Sequence, residues 1–178
     1  MNNTNNAQNS KLQEKILKEL QKNCRLNLDE IGKKCGCSRY KVGRVIKELE
    51  ENNTIVGYTA VINPTKINIK HFILLVKRSS IPFDVEMIKK IPFTTETDFV
   101  PDVDITSIAT LYVHGNFDWV LSFTAKDISI AKEFNNKIMK YYSKYLASLE
   151  LIEIVAPFRM NGFIIPTEDE IKEMIKIL

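Results

Sequence analysis

The chain has 178 residues, 44% of them hydrophobic, and a formal net charge of +3 from 25 Lys and Arg against 22 Asp and Glu. This is enough apolar material for one large core or two small ones, and no apolar run reaches the roughly 20 residues of a membrane span. The opening MNNTNNAQNS lacks the basic and apolar regions of a signal peptide, and three cysteines imply no disulfide framework, so a cytoplasmic chain with reduced thiols is expected.

Residues 1–10 are Asn-rich, have little to bury and are expected to form a disordered tail. Ser10 with Gln13 then has the form of a capping box. It precedes a helix to about Asn23, with Leu12, Ile16, Leu17 and Leu20 on one face. Asn27 with Glu30 repeats the signal before a short helix that Gly36 should end in left-handed geometry. Ser38 caps a third helix to about Glu51, striped by Val42, Val45, Ile46 and Leu49.

Two helices joined by so short a turn form a helix-turn-helix over residues 11–54. Gly32 lets the second helix approach the first. Cys35 and Cys37 read as small buried packing groups, because C-x-C without further ligands is not a zinc pattern. Neither metal, cofactor nor catalytic residue is expected. Tyr40, Gly43, Arg44 and Lys47 should point away from the core, with Ser38, Arg39 and Lys41 at the helix start. Up to residue 66 the chain holds 12 Lys and Arg against 7 Asp and Glu, which suits an acidic partner although a solvated surface would look similar. On double-stranded DNA, Arg39, Tyr40 and Arg44 are the candidates to read bases. Lys33, Lys34, Lys41 and Lys47 are placed for phosphate, and Gly43 for close backbone approach.

Residues 55–66 follow, where IVGYTAVIN alternates as a strand linker before Asn63-Pro64 breaks the pattern. Across 67–164 the apolar runs FILLVK, SIATLYVHG, DWVLSF and LIEIVAPF are separated by helical stretches near residues 84–90 and 128–145. The order strand, helix, strand, strand, helix, strand is that of a ferredoxin-like βαββαβ domain, making the whole an α+β chain. Both alternating sets of FILLVK are apolar, so a second copy packed sheet against sheet is expected. Residues 165–178 read as an added amphipathic helix with Ile171, Met174, Ile175 and Leu178 on one side.

With LQEKILKELQKNCRLNLDEIGKKCGCS, the junction VGRVIKELEENNTIVGYTAVINP and the turn GNFDWVLSF, the chain resembles the Lrp/AsnC (feast/famine) family of transcription regulators. The resemblance runs from about Lys11 to Ile164. It implies a winged-helix-like DNA-binding domain, a homodimer built through the carboxy-terminal sheets, assembly to tetramers or octamers, and a pseudo-palindromic DNA site. It also implies an amino-acid effector near the G-x-x-D turn, which places Gly115, Asn116, Phe117 and Asp118 as ligand candidates; a plain hairpin turn is the competing reading. The segment from Thr94 to Ser107 is longer than the family's usual connection, and Asn53 stands where the family usually has glycine. Two other functions compete: a sirohaem decarboxylase-like tetrapyrrole enzyme, and a sensor or corepressor that joins a sibling regulator without reading DNA.

Overall fold

A computed structural model describes residues 2–91 and 100–176, without the side chains of residues 2–7 and of Met174. The chain divides into two compact units, Met1–Val61 and Ile62–Leu178.

The first unit contains α1 (Asn2–Lys22), α2 (Leu28–Cys35) and α3 (Arg39–Glu51). α2 starts at a reciprocal capping box in which Asn27 and Glu30 exchange side-chain to backbone hydrogen bonds of 2.9 Å. It stops at Gly36, whose φ of 72° is left-handed and whose N–H donates to the Gly32 carbonyl. Ser38 caps α3 by accepting the Lys41 N–H. Leu12, Ile16, Ile31, Cys35, Val42, Val45 and Leu49 form the buried core of this unit. α3 is followed by Asn53 at φ 58°, a left-handed position that asparagine adopts more readily than other side chains.

Two expectations for this region change. The helix begins at Asn2 and passes through Ser10, so of the tail of residues 1–10 expected to be disordered, residues 2–10 are helical and Ser10 is not a cap. The stretch has neither proline nor glycine to stop a helix nucleated by Leu12 and Ile16. The linker forms no strand either: residues 56–63 are irregular, and Val56 is exposed. Its alternating pattern lacks a neighbouring strand among the described residues, and without ladder hydrogen bonds the extended chain is not a strand.

The second unit opens with a 3-10 turn (Pro64–Ile67) and continues through β1 (Lys70–Arg78), α4 (Val85–Lys90), β2 (Ile105–Tyr112), β3 (Trp119–Ala125), α5 (Ile128–Tyr141) and β4 (Leu146–Ile154). The four strands pair antiparallel in the order β2-β3-β1-β4, the ferredoxin-like arrangement. A short hairpin, β5 (Arg159–Met160) and β6 (Phe163–Ile164), leads to α6 (Glu168–Ile175).

One sheet face is buried. Phe72, Leu74, Val76, Leu121 and Phe123 pack against Ala131, Phe134 and Ile138 of α5, with the Phe123 and Phe134 rings 4.8 Å apart. Val100 and Val103 join this core. They belong to the long segment from Thr94 to Ser107, of which 94–99 lies outside the described residues. The other face carries Ile73 and Leu75 of β1, half-buried, together with Val120, Leu111 and Ile152. The register aligns Leu111, Val120, Leu75 and Glu150 in one row, and Ala109, Ser122, Ile73 and Ile152 in the next. Leu111 is 52% exposed, so this face retains apolar area in contact with solvent. α6 likewise shows Ile171 and Ile175 to solvent, and Leu178 lies outside the described residues.

Candidate nucleic-acid interface

α2 and α3 are locked by contacts at the turn. A β-carbon on Gly32 would stand 2.6 Å from the Cys37 carbonyl oxygen, which no ordinary packing allows, and the Cys37 N–H donates to Gly32 O at 2.9 Å. Cys35 is buried, and burial raises the pKa of its thiol. Cys37 is half-buried, and both pack with the core. Among the described residues no group of three or more His, Cys, Asp or Glu side chains is placed to hold a metal ion.

Because Val42, Val45 and Leu49 face the core, the opposite side of α3 is left to water. Tyr40 is 83% exposed, and the Arg44 and Lys47 side chains are 69% and 75% exposed. Arg39 reaches back to Asp29 of α2 at 3.2 Å and lies over the Tyr40 ring. Arg44 faces Glu48 at 3.7 Å and Lys47 faces Glu51 at 3.6 Å; such long exposed pairs are worth little and yield to a stronger anion. Ser38 sits exposed at the amino end of α3, where backbone N–H groups favour an anion.

The lysines differ. Lys34 is tied to Glu19 of α1 at 2.9 Å, and Lys22 with Lys34 holds that carboxylate below its usual pKa. Lys33 and Lys41 are exposed and have no ion-pair partner among the described residues. Gly43 departs from the outward placement expected of it. It is half-buried, and a β-carbon there would touch Leu28 of α2 at 3.4 Å, so packing between helices bears on this position. The Asp29 partner of Arg39 was not singled out by the sequence reading; a carboxylate in the first turn of α2 is the signal that could have found it.

Gly115, Asn116, Phe117 and Asp118 lie together in the loop joining β2 and β3. Gly115 adopts φ 154° with open space where a β-carbon would be. The Val113 N–H donates to Asp118 O, and the Asp118 N–H to Val76 O, each at 2.8 Å. The Asp118 carboxylate is already engaged: Arg78 donates its backbone N–H at 2.9 Å and its Nε at 3.1 Å. These bonds, the backbone one foremost, hold Asp118 below the usual carboxylate pKa. Sequence reasoning missed Arg78, which lies 40 residues away along the chain.

A family described as winged helix-turn-helix DNA-binding matches residues 9–56. An uncharacterized HTH-type transcriptional regulator of Pyrococcus horikoshii is 28% identical over 81% of this chain and 88% of its own length. The HTH-type transcriptional regulator LrpA of the same organism is 46% identical over 52 residues, 29% of this chain and 37% of LrpA. Among solved structures, an AsnC family transcriptional regulator from Agrobacterium tumefaciens superposes with a TM-score of 0.64 at 21% identity, covering 84% of this chain and 92% of that one. A transcriptional regulator from Neisseria meningitidis, solved as a complex with L-Met, gives 0.63 at 17% identity over 89% and 97%.

Proposed function

We infer that the chain is a DNA-binding transcription regulator of the Lrp/AsnC type and that α3 is its recognition helix, which enters the major groove. The observation that carries this is the α3 surface: Tyr40, Arg44 and Lys47 stand in solvent on the side opposite Val42, Val45 and Leu49. Arg39, Tyr40 and Arg44 read base edges, the arginines through paired hydrogen bonds to guanine. Lys33, Lys41 and Lys47, with Ser38 at the helix start, take phosphates; Lys34 contributes once it leaves Glu19. In this division residues 11–54 bind DNA, 55–66 connect, and 67–164 pair subunits and sense a ligand.

The open sheet face supports a homodimer. The rows through Leu75 and Ile73 offer an apolar strip that a second copy covers by the same strip, an arrangement that two-fold symmetry permits. Two recognition helices then address a pseudo-palindromic site, and further association gives tetramers or octamers. The effector reading places an amino acid at residues 115–118, with its carboxylate on loop N–H groups and Arg78 and its ammonium on Asp118. The N. meningitidis regulator's complex with L-Met supports that class of ligand. Cytoplasmic placement accords with a DNA-binding role, and no helix among the described residues is long and apolar enough to cross a membrane.

Selection of bound duplexes from a random pool tests the reading. An enriched site with two-fold sequence symmetry is expected. Failure to retain any duplex at low salt sinks it. Retention that is unchanged in an R39A/R44A variant would remove Arg39 and Arg44 from the base-reading role.

A further inference from the structure

Strands β1, β2 and β3 stop at one level. Lys70 and Ile105 both pair with Ala125, so Ile69, Asp104 and Lys126 stand immediately outside the ladder at one end of the sheet. Each is placed by a neighbouring turn. The Ile105 N–H donates to the Val103 carbonyl at 2.9 Å, a three-residue turn with Asp104 at its centre. Lys126 precedes Asp127, whose carboxylate caps α5 by accepting the Ser129 and Ile130 N–H groups at 2.8 and 3.1 Å. Ile69 follows Asn68, which closes the 3-10 turn in left-handed geometry at φ 54°.

These residues border a pocket of about 300 Å³, at the lower limit of the ~300 to 1,000 Å³ common for small-molecule sites. Ile67 and Ile69 give it an apolar side, while Thr106 and Thr124, opposite one another in register, bring two hydroxyls. Its charged side chains are Asp104 and Lys126, one of each sign. Neither makes a side-chain hydrogen bond or ion pair among the described residues, with each other or with any third group. The charges of the adjoining elements are already matched: Lys70 with Glu153 at 2.6 Å, Lys66 with Glu170 at 3.0 Å, and Asp127 with the α5 amides. The pocket is therefore neutral as a whole, yet keeps one uncommitted charge of each sign. It is distinct from the 115–118 loop, because Asp118 precedes the first residue of β3 and Lys126 follows the last.

We propose that this pocket binds a small aliphatic amino acid as its zwitterion. Asp104 takes the ammonium and Lys126 the carboxylate, each through charge-assisted hydrogen bonds, with the two threonine hydroxyls beside them. Ile67 and Ile69 cover the side chain, since burial of nonpolar area drives association. A molecule with a single charge matches one of the two groups and leaves the other without its partner in a partly desolvated place, which is costly. The small volume suits a short branched chain better than a ring. This site is independent of the effector reading for residues 115–118, and each stands or falls alone.

The test uses the full chain with Ile and Val methyl labels, titrated in NMR with L-valine and with isobutylamine and isovalerate, which are valine without its carboxylate and without its ammonium. Saturable shifts of the Ile67 and Ile69 methyls are expected with L-valine, about tenfold tighter than with either control, the worth of one charge-assisted hydrogen bond. Asp104→Asn and Lys126→Gln, both at exposed positions, should each weaken L-valine by about the same factor. Asp104→Asn should spare isovalerate and Lys126→Gln should spare isobutylamine, which separates a lost pairing from a distorted pocket. Shifts confined to Val113 beside the 115–118 loop, absence of saturation, equal affinity for the three probes, or variants that leave L-valine unchanged or weaken all three probes alike would each overturn the proposal.

Discussion

Arg78 donates to Asp118 twice, from its backbone N–H and from its side-chain Nε, so the last residue of β1 fastens the loop between β2 and β3. The guanidinium also lies over the Phe83 ring at 5.4 Å and the Tyr112 ring at 5.9 Å. The D118A variant should lose about 1 to 2 kcal/mol in urea unfolding, at the low side for a charged hydrogen bond because the pair is partly exposed. The depressed folded pKa means this stabilisation is complete above the ordinary carboxylate value of about 4 and disappears as pH falls through the folded value. Wild type should therefore lose stability more steeply than D118A on acidification below about pH 4.

Gly32→Ala tests the helix-turn-helix geometry. The new methyl meets the Cys37 carbonyl oxygen, backbone that cannot step aside as a side-chain tip would. A loss of about 1 to 3 kcal/mol is expected from overpacking, read in thermal melts followed by helix ellipticity. A neutral outcome would mean that the turn relaxes freely.

Arg44→Ala and Lys47→Ala should separate by their effects on DNA. Loss of a bidentate base contact costs about 1 to 3 kcal/mol on the selected site and relaxes preference at one base pair. Loss of a phosphate contact weakens all duplexes alike and reduces the slope of log K against log salt by about 1. Fluorescence anisotropy over a salt series distinguishes the two.

Leu75→Glu puts a carboxylate in the row with Val120 and Glu150 on the open sheet face. Like charges directly opposite repel, and an unpaired charge in an apolar interface is costly. Sedimentation equilibrium should show a monomer for this variant and a dimer for wild type. A dimeric variant would remove the face from the pairing reading.

His71 lies on that face, its Nε2 2.7 Å from Ser122 Oγ and its Nδ1 buried with no hydrogen-bond partner among the described residues. Its neighbours in register, Thr124 and Ile154, carry no charge, and burial lowers its pKa. The sign follows directly: below the ordinary value of about 6.5 the unfolded chain takes a proton that the folded one resists, so stability falls with pH until the folded pKa is passed. His71→Asn should flatten the dependence of unfolding midpoint on pH between 7 and 5.

What was legible in the sequence is what neighbouring residues decide. Asn27 with Glu30, Gly36 and Ser38 each act within a few residues, and each forms the cap or turn its chemistry dictates. The strands of the sheet were legible because both their faces are apolar, a local property of FILLVK and WVLSF. Arg78 and Asp118 were not, since a bond spanning 40 residues depends on register that no local pattern announces. The linker misled for a related reason: alternation records which faces a strand would have, while ladder hydrogen bonds require a neighbour. Gly43 looked like a surface position until Leu28 was found against it.

Val100 and Val103 are 1% and 8% exposed, and they bring the carboxyl end of the connection between α4 and β2 into the same core as Phe72 and Phe134. The connection is thus no dispensable ornament. An engineer who trimmed this end of it would excavate two side chains' worth of interior, and the hollow would cost about as much as paired large-to-small core replacements. Grafts, tags or cleavage sites belong elsewhere on this molecule, and natural variation in this stretch should preserve two small branched hydrocarbons however freely the rest drifts.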